Sequence, residues 1–179
     1  MKLLFVRHGE TDPNKNKTVM GSEVDASLNE HGVAEVRGIL ATLPNDFEII
    51  FSSPLVRAYK TAEIIAEHFK KEIETHVELK EKSFGSLAGK TWPEIEMIVG
   101  SDAKTIDRQL QYDYRVYGGE SVEEVMIRVN AFVNKVRQGL QKKTLVVSHG
   151  GVIRVMYELY RDEIFGERIE NASLHEFEV

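Results

Sequence analysis

Short apolar runs alternate along the chain with longer segments in which apolar residues recur every three or four positions, a rhythm that predicts strands interleaved with amphipathic helices. Lys2 to Val6, Glu48 to Phe51 and Thr144 to Ser148 are rich in Leu, Ile, Val and Phe without clean alternation, as central strands buried on both faces require. Ile73 to Val77 and Leu174 to Val179 alternate better and are placed toward the sheet edges. Between these runs, Leu55, Ala58, Ala62 and Ile65 fall on one helical face, as do Val122, Val125, Val129 and Phe132. Helix starts are signalled by Asn29 ahead of Glu30-His31-Gly32, by Ser53 with Pro54 at the first helical position, and by the capping box Ser121-Val122-Glu123-Glu124. Weaker helical stretches are predicted at Thr91 to Val99 and Ala103 to Gln111. The pattern predicts an α/β fold, a mostly parallel sheet covered by helices on both faces.

A length of 179 residues, 42% of them hydrophobic and only 4 of them proline, fits one domain spanning 1–179. The segment Lys82 to Gly119 departs from the rhythm, with glycines, scattered charges, Trp92, Tyr112, Tyr114 and Tyr117, and is read as a lid-like insertion over the site. Its aromatics either bury its underside or touch substrate. A net charge of −6 argues against nucleic acid as a partner and makes any anion site local. The chain has no cysteine, no apolar segment of signal-peptide type near its start and no run approaching the ~20 apolar residues of a bilayer span. A cytoplasmic protein without a membrane partner is expected, and the Asn171-Ala172-Ser173 sequon is read as incidental. His31, His68, His76 and His175 lack the short paired spacing of metal ligands, so neither a metal nor another cofactor is expected. Neither a Gly-x-x-x-x-Gly-Lys phosphate loop nor a Gly-x-Ser-x-Gly elbow occurs.

The chemistry gathers where strands end. The first strand leads into Arg7-His8-Gly9-Glu10-Thr11, the second into Ser52-Ser53-Pro54-Leu55-Val56-Arg57, and the strand ending at Ser148 into His149-Gly150-Gly151. In open α/β sheets the ligand crevice lies outside the carboxyl ends of the strands, which brings Arg7, His8 and His149 together despite their separation in sequence. Two imidazoles, two guanidinium groups and helix N-termini suit a phosphoryl group, whose oxygens accept paired N–H donors. Gly150, at the start of a helix, offers a backbone amide to the same group.

These motifs, with Asn14, Leu28-Asn29-Glu30-His31-Gly32, Thr61-Ala62, Leu79-Lys80-Glu81, Phe84-Gly85 and Gly118-Gly119-Glu120-Ser121, make the chain closely similar to the histidine phosphatase superfamily. The branch it resembles contains the cofactor-dependent phosphoglycerate mutases and their phosphatase relatives. The resemblance implies a phosphoglycerate mutase-like three-layer α/β/α sandwich, with His8 as a nucleophile that becomes phosphohistidine. It implies further that Arg7, Arg57, His149 and Asn14 hold the phosphoryl oxygens and that Glu81 is the general acid. Arg7 and Arg57 are expected to keep His8 neutral, and burial to raise the pKa of Glu81. The implied activity is metal-independent hydrolysis of a small phosphorylated metabolite. The glycolytic mutases of the family carry a longer insertion with adjacent arginines, whereas Lys90, Lys104, Arg108 and Arg115 are scattered here, which favours water over a second substrate as phosphoryl acceptor. Mutase-type transfer and a non-catalytic phospholigand-binding module are the alternatives.

Overall fold

Alternation along each central strand sorts its side chains between two separate apolar layers, and this division explains the architecture of the computed structural model, which describes residues 1–139 and 143–179. The strands are β1 (Lys2–Arg7), β2 (Ile49–Ser52), β3 (Glu72–Thr75), β4 (Thr144–Ser148) and β5 (Leu174–Glu178), in the spatial order β3-β2-β4-β1-β5. The first four are parallel, and β5 pairs antiparallel with β1 at one edge. Leu3 and Phe5 of β1, Phe51 of β2 and Val146 of β4 share one buried cluster with helices α6 (Val122–Gly139) and α7 (Gly150–Arg161). Val6, Ile50, Leu145 and Val147, one position out of phase, share another with α2 (Glu30–Ile39) and α3 (Val56–Phe69). The remaining helices are α1 (Asp12–Lys15), α4 (Trp92–Val99) and α5 (Ala103–Arg108).

Both alternating segments lie at sheet edges, as their periodicity predicts. Two of the three cap signals act locally: Asn29 accepts the Gly32 N–H at 2.8 Å, and Ser121 and Glu124 exchange the paired bonds of a capping box. The third does not. Helix α3 begins at Val56, two residues beyond Pro54, because the Ser53 hydroxyl is engaged by His149 and by the Leu55 amide. Its first N–H is satisfied from a distant loop instead, Val56 donating to Asp25 at 2.7 Å. Helix α5 is shorter than the pattern predicts, ending at Arg108 before Leu110 turns the backbone to φ 56°.

Segment 82–119 is folded onto the α6–α7 side. Phe84, Leu87, Ile95, Leu110, Tyr112 and Tyr114 join the core of that face. Beneath them lies an ion pair, Lys82 to Asp107 at 2.7 Å, with both side chains almost wholly excluded from solvent. Tyr114 donates its hydroxyl to Asp107 at 2.9 Å, and the Lys82 ammonium stands 4.4 Å from the centre of the Tyr112 ring. Tyr112 and Tyr114 therefore bury the underside of the segment, whereas Trp92 faces the cavity described next. Among the described residues, no helix is long and apolar enough to cross a membrane.

Candidate active site

Register, more than any single residue, brings the two strand-end histidines together. Arg7 pairs with Ser148 in the parallel β1–β4 ladder, so the next residues on the two strands, His8 and His149, emerge side by side with ring centroids 5.2 Å apart. The chain leaves β1 toward the α2 face and leaves β4 into α7 on the opposite face, which opens a crevice between them at the carboxyl ends of the strands. A cavity of about 350 Å³ occupies it, lined by Arg7, His8, Asn14, Arg57, Glu81 and Gly150 among others.

His8 is buried, and its Nδ1 lies 2.8 Å from the Gly9 carbonyl oxygen. A carbonyl accepts only, so Nδ1 carries the proton and Nε2 keeps its lone pair. Burial, Arg7 and Arg57 together hold the ring well below the ordinary imidazole pKa. The loop behind it is pinned: the Gly9 N–H donates to Thr61, and Asn171 donates to the His8 carbonyl at 3.0 Å. A Cβ on Gly9 would sit 2.5 Å from the Gly32 carbonyl oxygen, so only glycine lets this loop rest on α2.

The guanidinium groups are anchored from behind. Arg57, 1% exposed, donates to the carbonyls of Val24 at 2.9 Å and Gly21 at 2.7 Å, and Arg7 donates to the Ile169 carbonyl. Burial pulls both below the ordinary guanidinium value, Arg7 to about 10, and both remain charged at neutral pH. In each, Nε is buried without a hydrogen-bond partner, and the same holds for Nδ1 of His149. The other nitrogen of that ring, Nε2, lies 2.8 Å from the Ser53 hydroxyl. Burial, followed by Arg57, His8 and Arg7, holds His149 neutral as well. Arg7 and Arg57 line the crevice and His149 stands beside His8, so three orphaned polar atoms belong to one neighbourhood, in an interior where buried polar groups are nearly always paired.

Asn14 has its carbonyl oxygen occupied by the Thr11 N–H at 3.2 Å and by Asn171 at 3.3 Å, which turns its amide nitrogen toward the cavity. Gly150 opens α7 on the cavity wall, where the helix N-terminus adds a favourable field for an anion. Glu81 accepts the Lys82 N–H at 2.9 Å and the Gly151 N–H at 3.1 Å. Its pKa departs from the sequence-based expectation. Burial pushes the carboxyl up, but the Lys82 charge, the two backbone donors and Arg57 outweigh it and hold Glu81 below the ordinary carboxylate value. A Cβ on Gly151 would lie 2.2 Å from the carboxylate, so the second glycine of the motif is what admits Glu81 to the helix end.

All seven residues singled out by sequence line or border this one crevice: Arg7, His8, Asn14, Arg57, Glu81, His149 and Gly150. Sequence reasoning missed Asn171, set aside as an incidental sequon, and Arg154, Arg168 and Ile169, which reach the cavity from α7 and the segment before β5. None sits in a local motif, and only the antiparallel return of β5 beside β1 brings Asn171 behind His8.

A buried histidine at a strand end, set beside two anchored guanidinium groups, gives the crevice the donors of an anion-binding site. The chain belongs to the histidine phosphatase superfamily, branch 1, whose family model matches residues 3–179. It is 30% identical over 181 residues to phosphoglycerate mutase-like protein 4 of Arabidopsis thaliana, an alignment covering 98% of this chain and 78% of that protein. It is also 30% identical over 179 residues to a metal-independent phosphoserine phosphatase of the same plant, covering 97% and 74%. A mycobacterial glucosyl-3-phosphoglycerate phosphatase, solved with VO3, superposes with a TM-score of 0.85 at 25% identity, covering 98% of this chain and 90% of the other.

Proposed function

We propose that this chain is a metal-independent phosphomonoester hydrolase that works through a phosphohistidine on His8 and acts on a small phosphorylated metabolite. The observation that carries the reading is the lone pair on His8 Nε2, held neutral beside the unpartnered donors Arg7 Nε, Arg57 Nε and His149 Nδ1. The names of the relatives support hydrolysis of phosphomonoesters.

Substrate enters as a dianion. Its nonbridging oxygens take N–H donors from Arg7, Arg57 and the Asn14 amide. In this mechanism the Ser53 hydroxyl, 2.8 Å from His149 Nε2, is the donor of that pair, which leaves Nδ1–H as a further donor to phosphorus-bound oxygen. Nε2 of His8 attacks phosphorus as the bond to the leaving oxygen breaks, and the fixed donors stabilise charge already spread over the nonbridging oxygens. Glu81 supplies the proton to the leaving oxygen. In the free protein it is ionised, so it acquires that proton when the phosphoryl dianion enters beside it, since a second negative charge raises a carboxyl pKa. Once the alcohol leaves, the Glu81 carboxylate takes a proton from water, and the resulting hydroxide equivalent breaks the P–N bond to release phosphate and neutral His8.

The cationic role that a metal ion plays in many phosphatases falls here to Arg7 and Arg57. The test is release of inorganic phosphate from para-nitrophenyl phosphate in the presence of EDTA, with His8→Ala alongside. Retained turnover in EDTA together with loss in His8→Ala supports the reading. Loss in EDTA restored by a divalent metal contradicts metal independence, and absence of turnover in every phosphomonoester leaves a binding module. Isomerisation of a phosphoglycerate with little phosphate released is the mutase outcome.

A further inference from the structure

Glu81 stands in a stretch, residues 80–84, that belongs to no helix or strand, so no regular ladder holds its backbone in place. Side chains from other elements do so instead. Before Glu81 comes a single 3₁₀ turn, Val77–Leu79, and the last carbonyls of such a turn find no partner within it. Arg128 donates to the Glu78 carbonyl at 2.6 Å and to the Lys80 carbonyl at 2.8 Å, and the Ser148 hydroxyl donates to the Leu79 carbonyl between them at 2.8 Å. The backbone leading into Glu81 is thus fixed against α6 and against the end of β4, one residue before His149.

Beyond Glu81, the Ser83 N–H donates to Glu120 Oε2 at 2.8 Å, and the Ser83 carbonyl accepts the Glu120 N–H at 3.0 Å. Two glycines permit this approach. A Cβ on Gly119 would lie 2.5 Å from the Ser83 carbonyl oxygen, and one on Gly85, at φ 56°, would run into the Tyr117 carbonyl. The Phe84-Gly85 and Gly118-Gly119-Glu120 motifs therefore interlock, although the proposed chemistry uses neither. Arg128 joins the two sides: its Nε and Nη2 donate to the two Glu120 carboxylate oxygens at 2.8 and 3.1 Å, while Nη1 serves the carbonyls of Glu78 and Lys80. A guanidinium can offer one edge to a carboxylate and still aim its remaining nitrogen elsewhere, which an ammonium cannot. The pair is partly exposed, at 19% and 25%, so its charge attraction adds little to stability. What the four hydrogen bonds do supply is a fixed spacing between the residues before and after Glu81.

Resting on the phosphohydrolase reading above, in which Glu81 protonates the leaving oxygen, we propose that Arg128 is a positioning residue that acts through Glu120 and the 78–80 carbonyls to hold the Glu81 carboxyl at the helix end marked by Gly151. Neither Arg128 nor Glu120 lines the cavity, so neither touches substrate. Their loss leaves the phosphoryl donors and His8 in place and displaces only the acid.

Two substrates that differ in leaving group test this, propyl phosphate and para-nitrophenyl phosphate. In both, the P–O bond breaks as His8 Nε2 bonds to phosphorus. Propanol must take a proton from Glu81 as it departs, whereas para-nitrophenolate departs as a stable anion. The comparison uses kcat/KM, which covers the steps through departure of the alcohol and leaves out the later hydrolysis of phosphohistidine. In Arg128→Met, kcat/KM for propyl phosphate is expected to fall about 10²-fold and that for para-nitrophenyl phosphate by less than about 3-fold. Glu120→Gln and Arg128→Lys, which keep part of the hydrogen bonding, are expected to show the same selective loss at smaller size, and they carry the decision if circular dichroism shows Arg128→Met to be unfolded. Glu81→Gln supplies the reference for loss of the acid. If that reference is selective for propyl phosphate while the Arg128 and Glu120 variants lose both substrates equally, or lose neither, the positioning role is overturned and the role of Glu81 stands. A Glu81→Gln variant that loses both equally removes Glu81 as the acid and the proposal with it, and a wild-type protein that hydrolyses neither substrate removes the phosphohydrolase reading itself.

Discussion

The lone pair that the proposed mechanism uses depends on one backbone carbonyl: because Gly9 accepts from Nδ1 of His8, Nε2 is the free nitrogen. Arg57 repels a proton from that ring, and in the proposed mechanism it also holds the phosphoryl oxygens. Arg57→Ala is expected to lower kcat by about 10²–10³, the scale seen when a preorganised donor is removed. It also raises the His8 pKa, so the acid limb of kcat/KM moves to higher pH, and a profile recorded from pH 4 to 8 checks both effects. A lost donor with no movement of the limb would show that Arg57 does not control His8 ionisation. Gly151→Ala tests the carboxylate side. A methyl group there collides with Glu81 unless the acid moves, and a displacement of about 1 Å costs about 10²-fold in kcat. Circular dichroism serves to establish that the helix survives, and a variant with wild-type turnover would remove Glu81 from the mechanism.

At the scale of elements, segment 82–119 is closed on itself by a buried ion pair, Lys82 to Asp107, whose lysine directly follows Glu81 in sequence. Removing one partner leaves the other charged in an apolar surrounding, so Asp107→Ala is expected to cost about 3–5 kcal/mol of stability by urea denaturation. The double variant Lys82→Met/Asp107→Leu, which removes both charges, is expected to recover most of that loss. Equal losses in the single and double variants would mean that packing, not charge, holds the segment. The strands and their edge positions were legible because period-2 alternation and continuous apolar runs reflect burial directly. The start of α3 was not, because its cap comes from Asp25, far away in sequence, while Ser53 serves His149. The site histidines and arginines were legible because each stands in a short motif at a strand end. Asn171 and Arg154 were not, since their roles arise only when α7 and β5 fold back against β1. The direction of the Glu81 shift also needed coordinates, because two backbone donors and the Lys82 charge decide it against burial.

Across the whole molecule, several imidazoles are held neutral: His8 and His149 well below their ordinary pKa, His76 below it, and His175 at about 4. In each case the folded-state value lies beneath the unfolded-state value of about 6.5, so as pH falls the unfolded chain takes up protons first. Stability is therefore complete above about pH 6.5 and declines below it. The two fully buried rings each contribute a slope of about 1.4 kcal/mol per pH unit. Thermal unfolding is expected to shift down by several degrees per unit between pH 6.5 and 5, and a midpoint constant over that range would mean that these rings are already protonated when folded. The same neutrality is the basis of the catalytic proposal, which a rapid-quench experiment tests most directly. Enzyme mixed with a turning-over phosphomonoester and quenched in base is expected to carry one acid-labile phosphoryl group, located on His8 by peptide mass spectrometry and absent from His8→Ala. A phosphoryl group found on another residue, or turnover that survives in His8→Ala, would contradict the account.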